Sequence, residues 1–561
     1  MVQPSPPTLN DQQLKAVQHV GSHLLIIAGP GTGKTHTLAH RIQHLTAQLK
    51  SNEKVLAVTF TNKAAGELRE RLEVLGVDLA HSVELGTFHA FALRLLRHYH
   101  RVLDFSLNFA IASPDEIASL AAQFWPQRSK AERKSVLRKI ADWKASLSNE
   151  SDDTDIISFS KFLREKQLVD FDDILRDAVL LLRSHPAVRV EVRALYRYIL
   201  VDEYQDIDAV QEDLLKELVA DGVRLTAIGD PNQAIYGFRG SDVRYFHSFA
   251  ENFQPAEILE LSKNYRSCSN LLEASGQVVE KGEPFHVPAL TAEIYAKGLL
   301  KVHEAATDKA EAEYVAHSIE KLVGGTSHFS RDSGRVGRDG ASCSFGDIAV
   351  LYRLNVQGRL MAQALERLGV PYQVSGNEAL ELSAGTRSAL QRLPSQFDIR
   401  EALIKLRPDD KALNDNWDAF LRLAEQAKDA RDFLDVLALE TPEDHFNFKV
   451  EKVALMTLHA AKGLEFPVVF IIGCEEGLLP LDLEFFSSDL EEERRLFYVG
   501  MTRAKEELCL VWARKRVLYG KSRELPPSRF LSDIQEGLKA YEAAREKRFR
   551  QDPERDQLKL F

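Results

Sequence analysis

"LLIIAGPGTGKTHTL" (24–38) decides the fold. The unbroken apolar run Leu24 to Ala28 is strand-sized and reads as a strand buried on both faces of a parallel sheet. Gly29, Gly31 and Gly33 then let the backbone wrap closely, and Leu38, Ile42, Leu45 and Leu49 fall on one face of the helix that follows. A strand, a glycine-rich turn and a helix N-terminus present backbone N–H groups to a phosphate. Lys34 would reach its terminal oxygens and Thr35 would hold magnesium. The loop comprises Ala28, Gly29, Pro30, Gly31, Thr32 and Gly33, and Ala28 stands where the strict pattern has its first glycine.

Similar strands recur. "VLAVTF" (55–60), "VELGTF" (83–88), "YILVDE" (198–203) and "LTAIGD" (225–230) complete one set. "LLKVHEA" (299–305), "DIAVLYR" (347–353), "YQVSG" (372–376), "VVFIIGC" (468–474) and "ELCLVWA" (507–513) form another. Near-continuous apolar strands separated by helical patterns predict two α/β domains, interrupted by helical insertions at about 90–195 and 377–452. A chain of 561 residues suits three or four domains. No apolar run is long enough for a membrane span, and "MVQPSPPTLNDQQ" has neither the basic start nor the apolar stretch of a signal peptide. Cys268, Cys343, Cys474 and Cys509 lie far apart, which argues against a zinc site or a disulfide framework and fits a reducing cytoplasm. The loop 324–347, rich in Gly, Ser and Arg, reads as disordered.

The net charge of −11 speaks mildly against nucleic acid as a partner. Local patches differ: "RSKAERKSVLRKIADWK" (128–144) carries seven basic and two acidic side chains, and "ARKRVLYGKSR" (513–523) five basic and no acidic ones. Alone, each reads equally well as a solvated face.

Polar residues gather at the carboxyl ends of the strands, where such sheets bind ligands. In "VDEYQD" (201–206), Asp202 would position magnesium and Glu203 would orient a water onto the terminal phosphate. An Asp-Glu pair is often only a solvated edge, but it follows a phosphate loop in the same sheet. "HAAKGLEF" (459–466) likewise stands just before a strand of the second set, as ordinary loop chemistry or as part of a ligand site.

"GDPNQAIYGFRG" (229–240), "LSKNYRS" (261–267), "LMTLHAAKGLEF" (455–466) and "RRLFYVGMTRAKEEL" (494–508) resemble motifs III to VI of the UvrD/PcrA/Rep family of superfamily 1 DNA helicases. "LNDQQLKAV" (9–17), "TFTNKAAGEL" (59–68), "GTFHAF" (86–91) and "PSRFL" (527–531) extend the match over both α/β domains in the family's order. The resemblance implies two RecA-like P-loop domains, parallel sheets flanked by helices, each with a mainly helical insertion. Residues 1–90 and 196–260 would form the ATP-binding domain and 91–195 its insertion. Residues 261–376 and 453–540 would form the second domain and 377–452 a reduced 2B-like insertion. It also implies ATP and Mg2+ as cofactors and a 3′-to-5′ motor acting on single-stranded DNA and its junctions with duplex, in a bacterial cytoplasm at the nucleoid.

Residue by residue, it places Gln13, Arg41 and Tyr265 around the adenine, Glu465 near the ribose and Gln233 at the γ-phosphate. Arg266 and Arg503 would be arginine fingers delivered from the second domain. Phe60, Thr61, Asn62, His89, Tyr236, Phe238, Arg239 and His459 match positions that face DNA, with Lys462 at DNA or the domain interface. Trp143 and Lys144 match a DNA motif in the first insertion. Stacking on aromatic rings would let an acidic protein hold a single strand of any sequence. Two departures stand out: the second insertion is short, and the aromatic that relatives often carry just before PSRF is missing from "SRELPP" (522–527). The same motifs would serve a translocase that strips proteins, the ATPase partner of a nuclease in repair or defence, or a nucleotide-gated DNA-binding adaptor. The intact Glu203, Gln233 and Arg503 argue against the adaptor. Finally, "QLKLF" (557–561) resembles the peptide by which bacterial proteins bind the sliding clamp, with Gln557, Leu558, Leu560 and Phe561 as its anchors. The charged stretch 541–556 would be its tether.

Overall fold

A computed structural model describes residues 9–103, 109–148, 151–220, 222–282, 289–294, 297–324, 343–375, 398–407, 417–425, 427–440, 450–483 and 486–542, with 386, 390 and 446. Most of the loop 324–347 and the whole terminal peptide with its anchors Gln557, Leu558, Leu560 and Phe561 lie outside the described residues. The chain divides into two compact units. One takes in Met1–Arg266, Glu283–Ile294 and Ser375–Phe448; the other takes in Ser267–Gly282, Tyr295–Val374 and Lys449–Phe561.

The first unit is built on a six-stranded parallel sheet. Its strands are β1 (His23–Ala28), β2 (Lys54–Thr59), β3 (Val83–Thr87), β4 (Tyr196–Val201), β5 (Arg224–Gly229) and β6 (Ala256–Leu261), ordered β3-β2-β4-β5-β1-β6. The register is continuous through the centre, with Ile26 beside Ile228 and Val58 beside Val201. Alternate residues of β1 serve two cores. Leu24, Ile26 and Ala28 pack with Leu38, Ile42 and Leu45 on one face, while Leu25 and Ile27 pack with Phe88, Phe91 and Leu96 on the other. That two-sided burial is why β1 is apolar at every position from Leu24 to Ala28. The helices that place functional residues are α1 (Asp11–Gln18), α2 (Lys34–Thr46), α3 (Asn62–Val74) and α4 (Phe88–His98).

The first insertion adds α5 (Lys130–Ala145), beside a core that includes Trp125, Ile140 and Phe159, and α6 (Phe171–Ser184), whose Ile174, Leu175 and Ala178 pack into the sheet core with Phe88 and Phe91. The second insertion has a small core of its own, with Leu403, Trp417, Phe420 and Phe433. Although it interrupts the second α/β domain in sequence, it packs with the first unit. Arg97 on α4 makes a two-pronged ion pair with Asp435 at 2.7 and 3.0 Å, while its guanidinium lies 3.7 Å from the centre of the Phe109 ring. Leu439, just past the helix Ala430–Ala438, joins the core beneath. The expected domain boundary also moves. β6 pairs with β1, and the first unit runs on to Arg266 rather than ending at residue 260.

The second unit holds an eight-stranded sheet. Its strands are β7 (Leu299–Thr307), β8 (Ile348–Tyr352), β9 (Tyr372–Val374), β10 (Val453–Thr457), β11 (Phe466–Ile472), β12 (Ala504–Leu518), β13 (Lys521–Glu524) and β14 (Ala540–Glu542). The order is β9-β10-β8-β11-β12-β7-β14, and β13 folds back antiparallel on the far end of β12. The helices α7 (Asp308–Leu322) and α8 (Leu490–Met501) flank it.

A buried charge cluster ties this unit together. Arg516 on β12 donates to Glu311 on α7 at 2.6 Å and to Glu475 beyond β11 at 2.7 Å. The same carboxylates accept the backbone N–H groups of Gly473 and Ala513. Burial, opposed by Arg516 and reinforced by Glu475, raises the Glu311 carboxyl from 4.5 to about 7. The folded unit therefore holds a proton that the unfolded chain releases between those two values, so stability falls as pH rises through that window. Glu311→Gln should weaken this dependence: thermal melts from pH 5 to 8 should show a falling midpoint in the native chain and a shallower fall in the variant, where Asp170 and Asp177, each raised to about 6, still contribute. Parallel curves would contradict it.

Candidate functional site

The loop after β1 is shaped by its neighbours. Gly31 and Gly33 have φ of 70° and 82°, in the left-handed region that side chains disfavour. A Cβ at Gly31 would lie 2.6 Å from atoms of Asn264 and Arg266, and one at Gly33 would lie 2.7 Å from the Gln13 amide. Thr32 Oγ1 closes the turn on the Gly29 carbonyl at 2.9 Å. Ala28 fits in place of the missing glycine because it is still part of β1: its methyl group lies in the core, and its carbonyl accepts from Lys34 Nζ at 3.3 Å. Lys34 and Thr35 open α2, where unpaired N–H groups favour an anion.

Residues 262–266 clasp this loop. Asn264 Nδ2 donates to the Pro30 carbonyl at 2.6 Å, and Asn264 Oδ1 accepts the Arg266 N–H. The Tyr265 N–H reaches the Gly31 carbonyl at 2.8 Å. The Tyr265 ring is 46% exposed, and its hydroxyl accepts from Asn10. Asn10 forms a capping box with Gln13, whose Nε2 donates to the Thr32 carbonyl. Gln13 and Tyr265 thus border the loop together. Arg266 belongs to this first unit, so its backbone is placed by the loop itself and not delivered by the second unit.

Arg41 is placed differently from the expectation. Only 2% exposed, it gives its donors to the carbonyls of Ala16, Val17 and His19 and to Thr226 Oγ1. Burial lowers its pKa to about 10. It fastens α1, the helix that carries Gln13, to the sheet instead of offering its charge to a base.

At the carboxyl ends of β4 and β5 the side chains form one hydrogen-bonded chain. Gln205 Nε2 donates to Glu203 Oε2 at 2.5 Å, and Gln205 Oε1 accepts the Asp230 N–H at 3.0 Å. Asp230 Oδ2 in turn accepts from Gln233 Nε2 at 2.7 Å. Asp230 is fully buried; burial raises its pKa while the Lys34 ammonium works to lower it. Glu203 has φ 50°, in the left-handed region that non-glycine residues rarely adopt. Asp202 Oδ1 accepts the Glu203 N–H at 3.0 Å.

Six residues past Asp230, at Tyr236, the same segment turns outward. Phe60 and Tyr236 stack at 5.0 Å and 20°, Phe238 is 65% exposed, and Arg239 lies 5.4 and 5.6 Å from the Tyr236 and Phe238 ring centres. Thr61 caps α3 through the Ala64 N–H, while Asn62 Nδ2 donates to the Leu439 carbonyl of the second insertion at 2.9 Å. His89 sits edge-on to Phe171, and burial lowers its pKa to about 4, so it is neutral at pH 7.

The pair Trp143–Lys144 does not face outward as expected. Lys144 is 2% exposed and bound to Asp170 at 2.5 Å and Asp173 at 3.0 Å. Burial opposes its charge, yet Asp173 and Asp170 more than compensate and push its pKa up. The Arg176 guanidinium covers the Trp143 ring at 4.2 Å.

In the second unit, His459 and Lys462 are half-buried in the turn before β11, and Glu465 pairs with Lys505 at 2.7 Å. Arg503 gives hydrogen bonds to the carbonyls of Val499 and Leu464 and to Thr502 Oγ1. The β12–β13 hairpin exposes Tyr519 at its tip, with φ 51°. The sequence reading singled out neither this ring nor Gln205, Asp230 and Asn264. Asp230 and Asn264 stand inside the quoted motifs, and their place one residue after β5 and three residues after β6 is the available signal.

Two family models cover most of the chain: the UvrD/REP helicase N-terminal domain matches residues 9–254, and the UvrD-like helicase C-terminal domain matches 259–380 and 407–515. A DNA helicase II homologue of Rickettsia felis is 32% identical over 644 aligned positions, covering 94% of this chain and 96% of its own. The ATP-dependent DNA helicase PcrA of Leuconostoc citreum is 29% identical over 648, covering 94% and 84%. With motifs, fold and whole-length similarity in agreement, the chain belongs to the UvrD/Rep family of DNA helicases.

Proposed function

We propose that this chain is an ATP- and magnesium-dependent motor that moves 3′-to-5′ along single-stranded DNA and opens the duplex ahead of it, in repair, replication or recombination. The observation that carries the reading is the hydrogen-bonded chain from Glu203 through Gln205 and Asp230 to Gln233, which sits against Lys34 and continues in sequence into the Tyr236–Phe238 aromatic cluster. Whatever moves Gln233 moves the segment that carries the rings.

In this reading Lys34 leaves the Ala28 carbonyl for the β- and γ-phosphates, and Asp230 keeps its ammonium oriented. Thr35 and Asp202 supply a hydroxyl and a carboxylate, the hard oxygen donors that magnesium takes together with phosphate oxygens and water. Bound there, the ion would neutralise charge developing on the phosphates. Glu203, steadied by Gln205, orients the attacking water, and Gln233 reads the γ-phosphate. Tyr265 stacks on the adenine beside Gln13, with Glu465 near the ribose. Arg266 and Arg503 act as arginine fingers, the first from beside the loop and the second after release from its own carbonyl partners.

On the DNA side, Phe60, Tyr236 and Phe238 support bases, while Thr61, Asn62, His89, Arg239 and His459 line the strand. A single strand reaching Asn62 must take its amide from the Leu439 carbonyl. Lys144 and Trp143 have no part in this surface. Among the described residues no helix is long and apolar enough to cross a membrane.

Lys34→Ala and Glu203→Gln should each lower DNA-stimulated phosphate release by about 10²-fold or more, with Glu203→Gln still binding ATP. Hydrolysis that persists in Lys34→Ala, or that ignores single-stranded DNA, would overturn the motor. Tyr519 at the hairpin tip offers a ring in place of the aromatic missing before PSRF. Tyr519→Ala should slow unwinding of a 3′-tailed duplex about tenfold while leaving DNA-stimulated ATPase unchanged. Equal losses in both assays would assign Tyr519 to folding or strand binding. The peptide QLKLF is proposed to bind a sliding clamp, with apolar anchors at Leu558, Leu560 and Phe561 and a micromolar affinity of roughly −8 kcal/mol. Removing residues 557–561 should abolish co-elution with the clamp and spare ATPase; clamp binding that survives the truncation would refute it.

A further inference from the structure

Glu203 sits in the left-handed region, at φ 50°, and a non-glycine residue stays there only where its surroundings hold it. Gln205 holds its carboxylate. Tyr204, between the two in sequence, is fully buried in the sheet core, with Phe249 edge-on at 5.4 Å and Phe246 tilted at 6.3 Å. Its backbone N lies close against the end of β5, where a Cβ at Gly229 would come within 3.2 Å of it.

The Tyr204 ring ends on a buried carboxylate. Tyr204 Oη donates to Glu212 Oε2 at 2.7 Å, and Asn252 Nδ2 donates to Glu212 Oε1 at 2.9 Å. The Lys216 ammonium lies 3.6 Å from the same Oε1. Burial pushes the fully buried Glu212 carboxyl up, while Tyr204, Lys216 and Asn252 work against it. Burial, with Glu212 beside it, holds the Tyr204 hydroxyl well above the ordinary tyrosine value, so the phenol keeps its proton and is the donor. Glu212 is itself well fixed, because the helix Ala209–Leu218 begins in a capping box between Asp208 and Gln211. An apolar side chain would fill this place without the cost of burying a charge. What the carboxylate adds is a directed hold on the tyrosine hydroxyl.

We propose that Glu212 is a positioning residue for hydrolysis: acting through the Tyr204 hydroxyl, it fixes the turn that keeps Glu203 aimed at the attacking water. The turn is then gripped from two sides, by Gln205 on the Glu203 carboxylate and by Glu212 on the next side chain along. Asn252 brings to the same anion the chain that follows the aromatic cluster, and Asp208 pairs with Ser241 in a bridge between the two segments. Without the bond to Glu212 the ring stays packed, but Glu203 is free to relax out of the left-handed region. This role rests on the motor reading above, in which Glu203 orients the water.

In the full-length protein, steady-state ATPase at saturating oligo-dT would be compared for Tyr204→Phe, Glu212→Ala, their combination and Glu212→Gln, each below the onset of its thermal melt. Tyr204→Phe removes the hydroxyl and keeps the ring. It should lower kcat about tenfold with KM for ATP within about twofold of the native chain, because orientation of the water is lost and nucleotide binding is not. Glu212→Ala should do the same, and the double variant should be no slower than Glu212→Ala alone, since both changes act through one bond. Glu212→Gln, whose Oε1 still accepts from Tyr204, should recover most of the rate. A bond that serves folding alone would give lower melting temperatures with native kcat. That result, or additive losses in the double variant, would overturn the proposal and leave the motor standing. A native chain without DNA-stimulated hydrolysis would overturn the motor reading and this role together.

Discussion

The buried carboxylate of Asp230 is the constraint on which the nucleotide site depends. It lies directly after β5, faces Lys34 electrostatically, and accepts the Gln233 amide, while its own N–H is held by Gln205, which also holds Glu203. A buried carboxylate is costly unless its lone pairs are used, so each partner is fixed by the need to satisfy it. The groups that would bind, hydrolyse and sense a phosphate are thereby set as one unit before any ligand arrives. Preorganisation of this kind lowers the ordering cost of the reacting geometry.

The second constraint is the clasp of residues 262–266 on the phosphate loop. Asn264 and Tyr265 take up the carbonyls of Pro30 and Gly31, and their close approach is possible only because residue 31 lacks a side chain. The glycine is therefore required twice, for its left-handed backbone and for the space it leaves.

The second insertion shows how charge can redirect a domain. Asp435 and Arg97 are both largely buried, and breaking such a pair would leave an uncompensated charge beside Phe109. The insertion is thus held on the first unit with its Leu439 carbonyl on Asn62, at the start of the helix that follows the Phe60 ring. Any strand that uses Asn62 competes with that bond.

Much of this protein was legible in its sequence. The doubly buried strand β1, the glycine spacing after it and the acidic pair after β4 each follow from local pattern, because a strand covered on both faces must be apolar throughout and a phosphate loop needs left-handed residues at fixed positions. What sequence could not supply was the destination of long polar side chains. Arg41, Lys144 and Trp143 stand in recognisable patterns, yet Arg41 and Lys144 are spent on buried carbonyls and carboxylates and Trp143 lies beneath a guanidinium. Their partners lie on other elements, as with Arg41 and Thr226 or Lys144 and Asp170, and only packing decides whether a charge meets solvent or a buried counter-charge. The same holds for the second insertion: its place in the chain is covalent, but its place in the structure is set by an ion pair between residues more than three hundred positions apart.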